Sequence, residues 1–195
     1  MTDVVHRRGR QAGATRAQVL DRALHHYLRG RRVDVQSLAT ELGVGRTTIY
    51  RWFGSREELL GEVLFRAAEP LLDLARREAG GSGGQALLET FDRFNRMLAD
   101  APALRTFVER ERDVALRVLT SGAGYLQPQM VRRIGGLIEE EAGAGRYDPP
   151  VDPETLGYAI VRLAEAFLFN EAAAGMRGDV DRLRAVEAAI LGVGP

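Results

Sequence analysis

The chain has 195 residues, of which 45% are apolar and 28% charged, enough to bury a core unaided and typical of a water-soluble globular protein. It has no cysteine, which excludes a disulfide framework and a thiolate metal site, and no apolar run approaching the ~20 residues of a membrane helix. The formal net charge is zero but unevenly spread: residues 1–56 hold eleven arginines against four acids, a net +7 balanced by −7 in the remainder, and a basic head on an acidic body suggests a polyanion partner at the head.

Met1 to Thr15 is polar and basic without an apolar stretch, which predicts no signal peptide and, with the missing cysteines, a cytoplasmic location with no membrane partner. Thr15-Arg16-Ala17-Gln18 fits a capping box opening the first helix, whose apolar face is Leu20, Leu24, Tyr27 and Leu28, with Gly30 ending it. Asp34 is the expected N-cap of a short second helix, Val35 to Leu42. A third runs from about Arg46 to Trp52. Ser55-Arg56-Glu57-Glu58 fits a second capping box at the head of a long helix to about Glu78, with Pro70 inside it as an expected kink. Gly80 to Gly84 reads as a flexible loop. Further helices are predicted at about 85–99, 102–119, 127–142, 153–174 and 179–192, with a rigid proline turn at 148–153: an all-α chain of about nine helices.

The stretch 35–54 carries the sharpest signal. Leu38 and Leu42 line one side of the second helix, Ile49 and Trp52 one side of the third, and Ala39 is small where the two cross. Gly43 stands where the turn needs a left-handed residue. This is helix-turn-helix spacing. An ordinary core hairpin would also explain Leu38, Leu42 and Ile49, but not the polar start Arg46-Thr47-Thr48 beside Tyr50 and Arg51.

The run Leu38-Ala39-Thr40-Glu41-Leu42-Gly43-Val44, followed by Thr48-Ile49-Tyr50-Arg51-Trp52-Phe53-Gly54-Ser55-Arg56-Glu57-Glu58-Leu59-Leu60, closely resembles the TetR family of bacterial regulators over about residues 15–62. Three departures are Gly45 for a hydroxyl cap, Trp52 where histidine is common, and Arg56 for lysine. The resemblance implies a third helix entering the major groove, with Arg46, Thr47 and Thr48 at base edges and Tyr50, Arg51, Trp52 and Arg56 completing the DNA contacts, mainly at phosphates. Arg7, Arg8 and Arg10 form an arm that either reaches the DNA or merely solubilises the terminus. The implied division is an arm and DNA-binding domain at 1–55 and an effector-binding and dimerisation domain at 56–195, the latter led by a connecting helix at 56–78. The implied partners are double-stranded operator DNA, a second copy of the chain in a homodimer, and a small-molecule effector, with no cofactor and no metal.

For the body the resemblance is architectural. The last two helices are the expected dimer seam, through Leu163 and Phe167 on one, in a stripe with Leu156 and Ile160, and Leu183, Val186, Ala189 and Ile190 on the other; an internal core stripe explains the first set equally well. An effector pocket is expected between the middle helices. Its candidate walls are Phe91, Phe94, Met97, Leu98, Phe107, Leu126, Met130, Ile134 and Phe169, and its candidate polar anchors Arg110, Arg117, Tyr125, Arg162, Glu165 and Asn170. Arg162 to Phe169, with a glycine-ended helix and Asp179, resembles the QsdR branch of the family, which implies a lactone or acyl-chain effector.

The function so implied is a transcriptional regulator of repressor type, released from a palindromic operator by a small, mostly apolar ligand. A constitutive DNA-binding or scaffolding protein without effector is the alternative. An enzyme is disfavoured: His6, His25 and His26 lack metal-ligand spacing, and neither a nucleophile elbow nor a phosphate loop is present.

Overall fold

Side-chain caps open three of the first four helices. In the computed structural model, which describes residues 13–169 and 179–194, α1 (Arg16–Leu28) opens on Thr15, whose hydroxyl accepts from the Gln18 N–H while the Gln18 side chain accepts from the Thr15 N–H. Asp34 caps α2 (Val35–Leu42) by accepting from the Ser37 N–H at 2.9 Å, and Gly43 ends it at φ 65°. α3 (Arg46–Phe53) follows from Gly45, which offers no side-chain cap. The Ser55 hydroxyl accepts from the Glu58 N–H at the start of α4 (Arg56–Ala79), which continues across Pro70.

The rest of the body comprises α5 (Gly83–Asp100), α6 (Pro102–Arg110), α7 (Arg112–Thr120), α8 (Leu126–Gly143), α9 (Pro153–Phe169) and α10 (Val180–Leu191). The protein is all-α, with ten helices and no strand among the described residues. The added helix comes from the stretch expected as one helix over 102–119, which breaks at Glu111 (φ −133°, ψ 49°). No glycine or proline marks that break; Glu111 leaves the helix to face arginines from the head. Arg7, Arg8, Arg10 and Asn170, and the expected continuation of α9 to 174, lie outside the described residues.

The glycine stretch 80–84 is no loose linker. Gly83 and Gly84 begin α5, and the Gly83 N–H donates to Glu141 Oε2 at 2.7 Å. A Cβ on Gly84 would lie 2.7 Å from Val193 and 2.8 Å from the Tyr147 ring. Glu141 is buried and also takes Arg76 and Arg146, and the Arg146 hydrogen bond leads in holding its carboxyl down at about 2.

Two apolar clusters fill the interior. One joins α1–α3 to the first half of α4 and to α6 and α7, through Leu38, Ile49, Leu59, Leu60 and Phe107. The other joins the second half of α4 to α5, α8, α9 and α10, through Leu72, Leu87, Phe91, Ile138, Leu156 and Leu191. The first runs across residue 55 without a break, so the head is welded to the body along α6 and α7.

α8 and α9 cross on glycines: a Cβ on Gly157 would stand 2.8 Å from the Gly135 N and Cα atoms and 3.2 Å from the Val131 carbonyl. Because backbone cannot yield as a side-chain tip can, Gly157→Ala is expected to destabilise the protein by about 1–3 kcal/mol. Gly136→Ala, one helix face away with nothing within 4 Å, should instead stabilise by roughly 0.5–1 kcal/mol. Thermal denaturation of the pair checks both signs.

Candidate functional site

α3 divides by face. Ile49 and Phe53 are buried, whereas Arg46, Thr47, Tyr50 and Arg51 are exposed on the opposite side. Thr48 and Trp52 are half-buried, and Trp52 packs against the core of the head. The end of α3 is fastened by Arg16, which the sequence reading did not single out. Its guanidinium forks onto Glu62 at 2.9 and 2.5 Å, donates to the Trp52 carbonyl at 3.4 Å and lies 4.4 Å over the Phe53 ring. The outcome is a rigid short helix whose free face is basic and hydroxyl-rich, chemistry suited to base edges and phosphates.

Arg56 is not on that face. It was expected at a phosphate, but it is only 15% exposed, and its Nη2 donates to both Glu111 oxygens at 2.9 and 2.7 Å. Its Nε donates to the Val33 carbonyl at 2.7 Å. A guanidinium held on these sides by internal acceptors is committed to the joint between head and body. Arg32 adds a second cation to Glu111 at 3.4 Å. Beside it, Arg110 donates to the Gly30 carbonyl at 2.7 Å, and the Tyr27 and Phe107 rings meet edge-on at 6.3 Å. Arg110 and Phe107, expected in an effector pocket, are therefore parts of this joint.

The body holds a cavity of about 570 Å³. Of the expected pocket residues, Phe91, Phe94, Met97, Leu98, Leu126, Met130, Ile134, Glu165 and Phe169 line it. Arg117 does not: it is exposed and lies 3.7 Å from Glu57. Tyr125 packs edge-on against Phe65 at 6.1 Å. Arg162 stands behind the wall, where its Nη1 donates to Glu165 Oε2 at 2.6 Å and to the Thr120 carbonyl at 3.1 Å. Arginine direction is set by partners far along the chain, which spacing does not encode.

Most of the other lining residues escaped the sequence reading, and four of them bear on what the cavity does: Tyr27, Leu28, Gln127 and Asn95. Tyr27 and Leu28 come from α1, so the cavity reaches the head itself, and Leu28, 59% exposed, stands with Asp100 and Pro102 at its rim. Gln127 and Asn95 add polar atoms. The Asn95 amide is held by Glu187 Oε1 on α10 at 3.0 Å. Burial pushes the Glu165 carboxyl up to about 7 against the pull of Arg162 and the Gln127 hydrogen bond. Burial likewise pushes Glu187, aided by Asp92 and opposed by Asn95 and Arg184, up to about 8.

On the outer face of α9 and α10, Leu163, Phe167, Val186 and Ile190 are half-buried and Ala189 is exposed. Leu183, expected in the same seam, is 0% exposed. It faces the protomer's own core and has no surface to offer a second copy. Leu156 and Ile160 are likewise interior.

Residues 29–63 match the family model described as bacterial regulatory proteins, tetR family, and residues 82–192 match that described as tetracyclin repressor-like, C-terminal domain. The chain is similar to the solved structure of the transcriptional repressor QsdR from R. erythropolis, a TetR family protein, at 30% identity and a TM-score of 0.85, covering 92% of this chain and 95% of that one. It is similar in fold to the TetR family repressor AlkX from Dietzia sp. strain DQ12-45-1b, at 24% identity and a TM-score of 0.61, covering 92% and 96%. No curated protein matches the chain significantly in sequence.

Two predictions follow from these charges. Removing one partner of a mostly buried pair strands the other, so Arg56→Ala should lower stability by about 2–4 kcal/mol while Arg51→Ala on the free face changes it little. The double exchange of Arg56→Glu with Glu111→Arg should recover part of the loss in denaturant titrations. For Glu187 the folded form holds the proton more tightly than the unfolded chain. Its contribution is therefore intact below about pH 4.5 and is lost as pH rises through about 8, while Glu165 adds a like loss that is complete earlier, as pH rises through about 7. Melting temperatures measured across that range should fall, and fall less in Glu187→Gln.

Proposed function

The chain belongs to the TetR family of helix-turn-helix transcription regulators, and from that membership we propose that it is a repressor that binds a palindromic operator as a homodimer and lets go when a small, mostly apolar ligand enters the body. Members of the family bind operator DNA, act as dimers and respond to small-molecule effectors rather than catalyse a reaction. The observation that carries the proposal here is the shared cavity: α1 of the head contributes Tyr27 and Leu28 to the same walls as α4–α9 of the body. A cavity this large falls in the range of organic-ligand sites, which favours an effector-controlled protein over a constitutive binder.

In this reading residues 1–55 form the reading head and 56–195 the body. Arg46, Thr47 and Thr48 face base edges, Tyr50, Arg51 and the Trp52 indole N–H face phosphates, and Arg56 orients the head without touching DNA. Leu163, Phe167, Val186, Ala189 and Ile190 form the seam between two copies. Work on chromosomal DNA places the protein in the cytoplasm. Nothing anchors it to a membrane in this reading; among the described residues no helix is long and apolar enough to cross one.

Ligand in the cavity changes operator affinity only by its differential affinity for the DNA-bound and released states, typically about 5–150-fold, and operator must weaken the ligand by the same factor. The test begins with duplexes selected from a random pool. Binding to the selected site should fall steeply with salt, and Arg46→Ala should relax base preference by about 1–3 kcal/mol. Equal affinity for selected and random duplex would refute the specific-repressor reading. Once a ligand is in hand, identical ligand affinities with and without operator would refute release.

A further inference from the structure

If the cavity is the effector site, its lining specifies the charge of what enters. Among the described residues, no arginine or histidine side chain lines it. Two acids do: Asp100, exposed at the rim, and Glu165, buried within. The interior polar corner is where the end of α7, the start of α8 and the last turns of α9 meet. Gln127 and Glu165 face the cavity there, and Arg162 lies behind them, spent on Glu165 and on the Thr120 carbonyl.

A carboxylate or phosphate ester would pass one acid and be buried beside another with no cation among the described residues facing it. Taking an anion out of water without a partner is among the costliest steps available to a ligand. A buried ammonium fares little better. Arg162 already balances Glu165, so little charge is left to meet a cation. A neutral head loses nothing of this kind. The Gln127 amide both donates and accepts, and Glu165 accepts when ionised and donates when protonated, so together they satisfy a hydroxyl, an amide or a carbonyl. Phe91, Phe94, Met130, Ile134 and Leu168 offer the rest of the molecule only apolar surface.

We propose that the cavity binds an uncharged amphiphile, an apolar chain or ring system bearing one hydrogen-bonding head seated at Glu165 and Gln127, and discriminates against charged molecules of the same size and shape. The inference rests on the effector reading of the cavity but is tested without DNA.

The experiment is calorimetric titration of the full chain with decanol, decanamide, decanoate and decylamine, which share one chain length, at about pH 8 where decanoate and decylamine are charged. Decanol and decanamide should bind at least about ten-fold more tightly than decanoate and decylamine. Glu165→Gln, which removes the buried acid, should narrow the gap between decanol and decanoate several-fold. Gln127→Leu, which leaves Glu165 and Arg162 in place, should weaken both neutral probes by about ten-fold. Circular dichroism melts establish that each variant is folded. A charged probe that binds as tightly as decanol, a gap unchanged in folded Glu165→Gln, or silence from all four probes would each overturn the proposal. Neutral probes that bind with the expected preference yet leave operator affinity unchanged would uphold it while refuting ligand-controlled release.

Discussion

The stance of the head on the body depends on where Glu111 can place its carboxylate. Arg56 opens α4 and hydrogen-bonds at once to the loop after α1, through the Val33 carbonyl, and to the break between α6 and α7, through Glu111. One planar guanidinium thus ties three elements that are far apart in sequence. A lysine ammonium lacks the fork that reaches both acceptors in one fixed geometry. The energy of such a pair is modest, but its directionality is not, and the contacts that flank it agree. Arg110 holds the Gly30 carbonyl, Tyr27 meets Phe107 edge-on, and a continuous apolar cluster runs beneath them from head to body.

This joint changes how motion in the body can reach the reading helix. α4, the covalent link from head to body, is one lever. The structure adds a second path through α6. The cavity touches α6 at Pro102, Ala103 and Leu104. One or two turns farther on, α6 carries Phe107, Arg110 and the Glu111 break onto α1, the loop after it and the start of α4. A displacement of α6 by an occupant is delivered to the head at several points at once. Tyr27 and Leu28 shorten the path further, since an occupant would touch the head directly.

What the sequence made legible is what is decided locally. Thr15 with Gln18, Asp34 before Val35 and Gly43 after Leu42 mark helix ends through bonds made within a few residues, and those ends lie where the caps predict. Apolar cavity residues such as Phe91, Phe94 and Met130 were also legible, because an amphipathic helix has only one inward face on which to put them. The failures are long-range. Arg56 is 55 residues from Glu111, and nothing near either announces the pairing that ties Arg56 to the break in the predicted helix at 111. Gly83 and Gly84 look like a linker by composition, yet serve close packing against Arg146, Tyr147 and Val193, residues more than sixty positions away. Leu183 has the same periodicity as a seam residue, and only the tertiary fold turns it inward.

The cavity itself is a packing cost retained for some reason. Protein interiors ordinarily fill to crystal-like density, and an apolar void of this size forfeits dispersion contacts along its whole lining. Ala67, Ala68, Ala101, Ala103 and Ala164 leave room between the larger walls Phe91, Phe94, Met130 and Phe169, and α6 beside them is fastened to the head by Arg110. The two acids placed at its rim and in its corner raise that cost further, because Glu165 is buried at the expense of its ionised form. A molecule that restores the missing contacts without adding a charge recovers both costs together. If the empty and filled packings favour different positions of α6, that recovered energy is what turns the head.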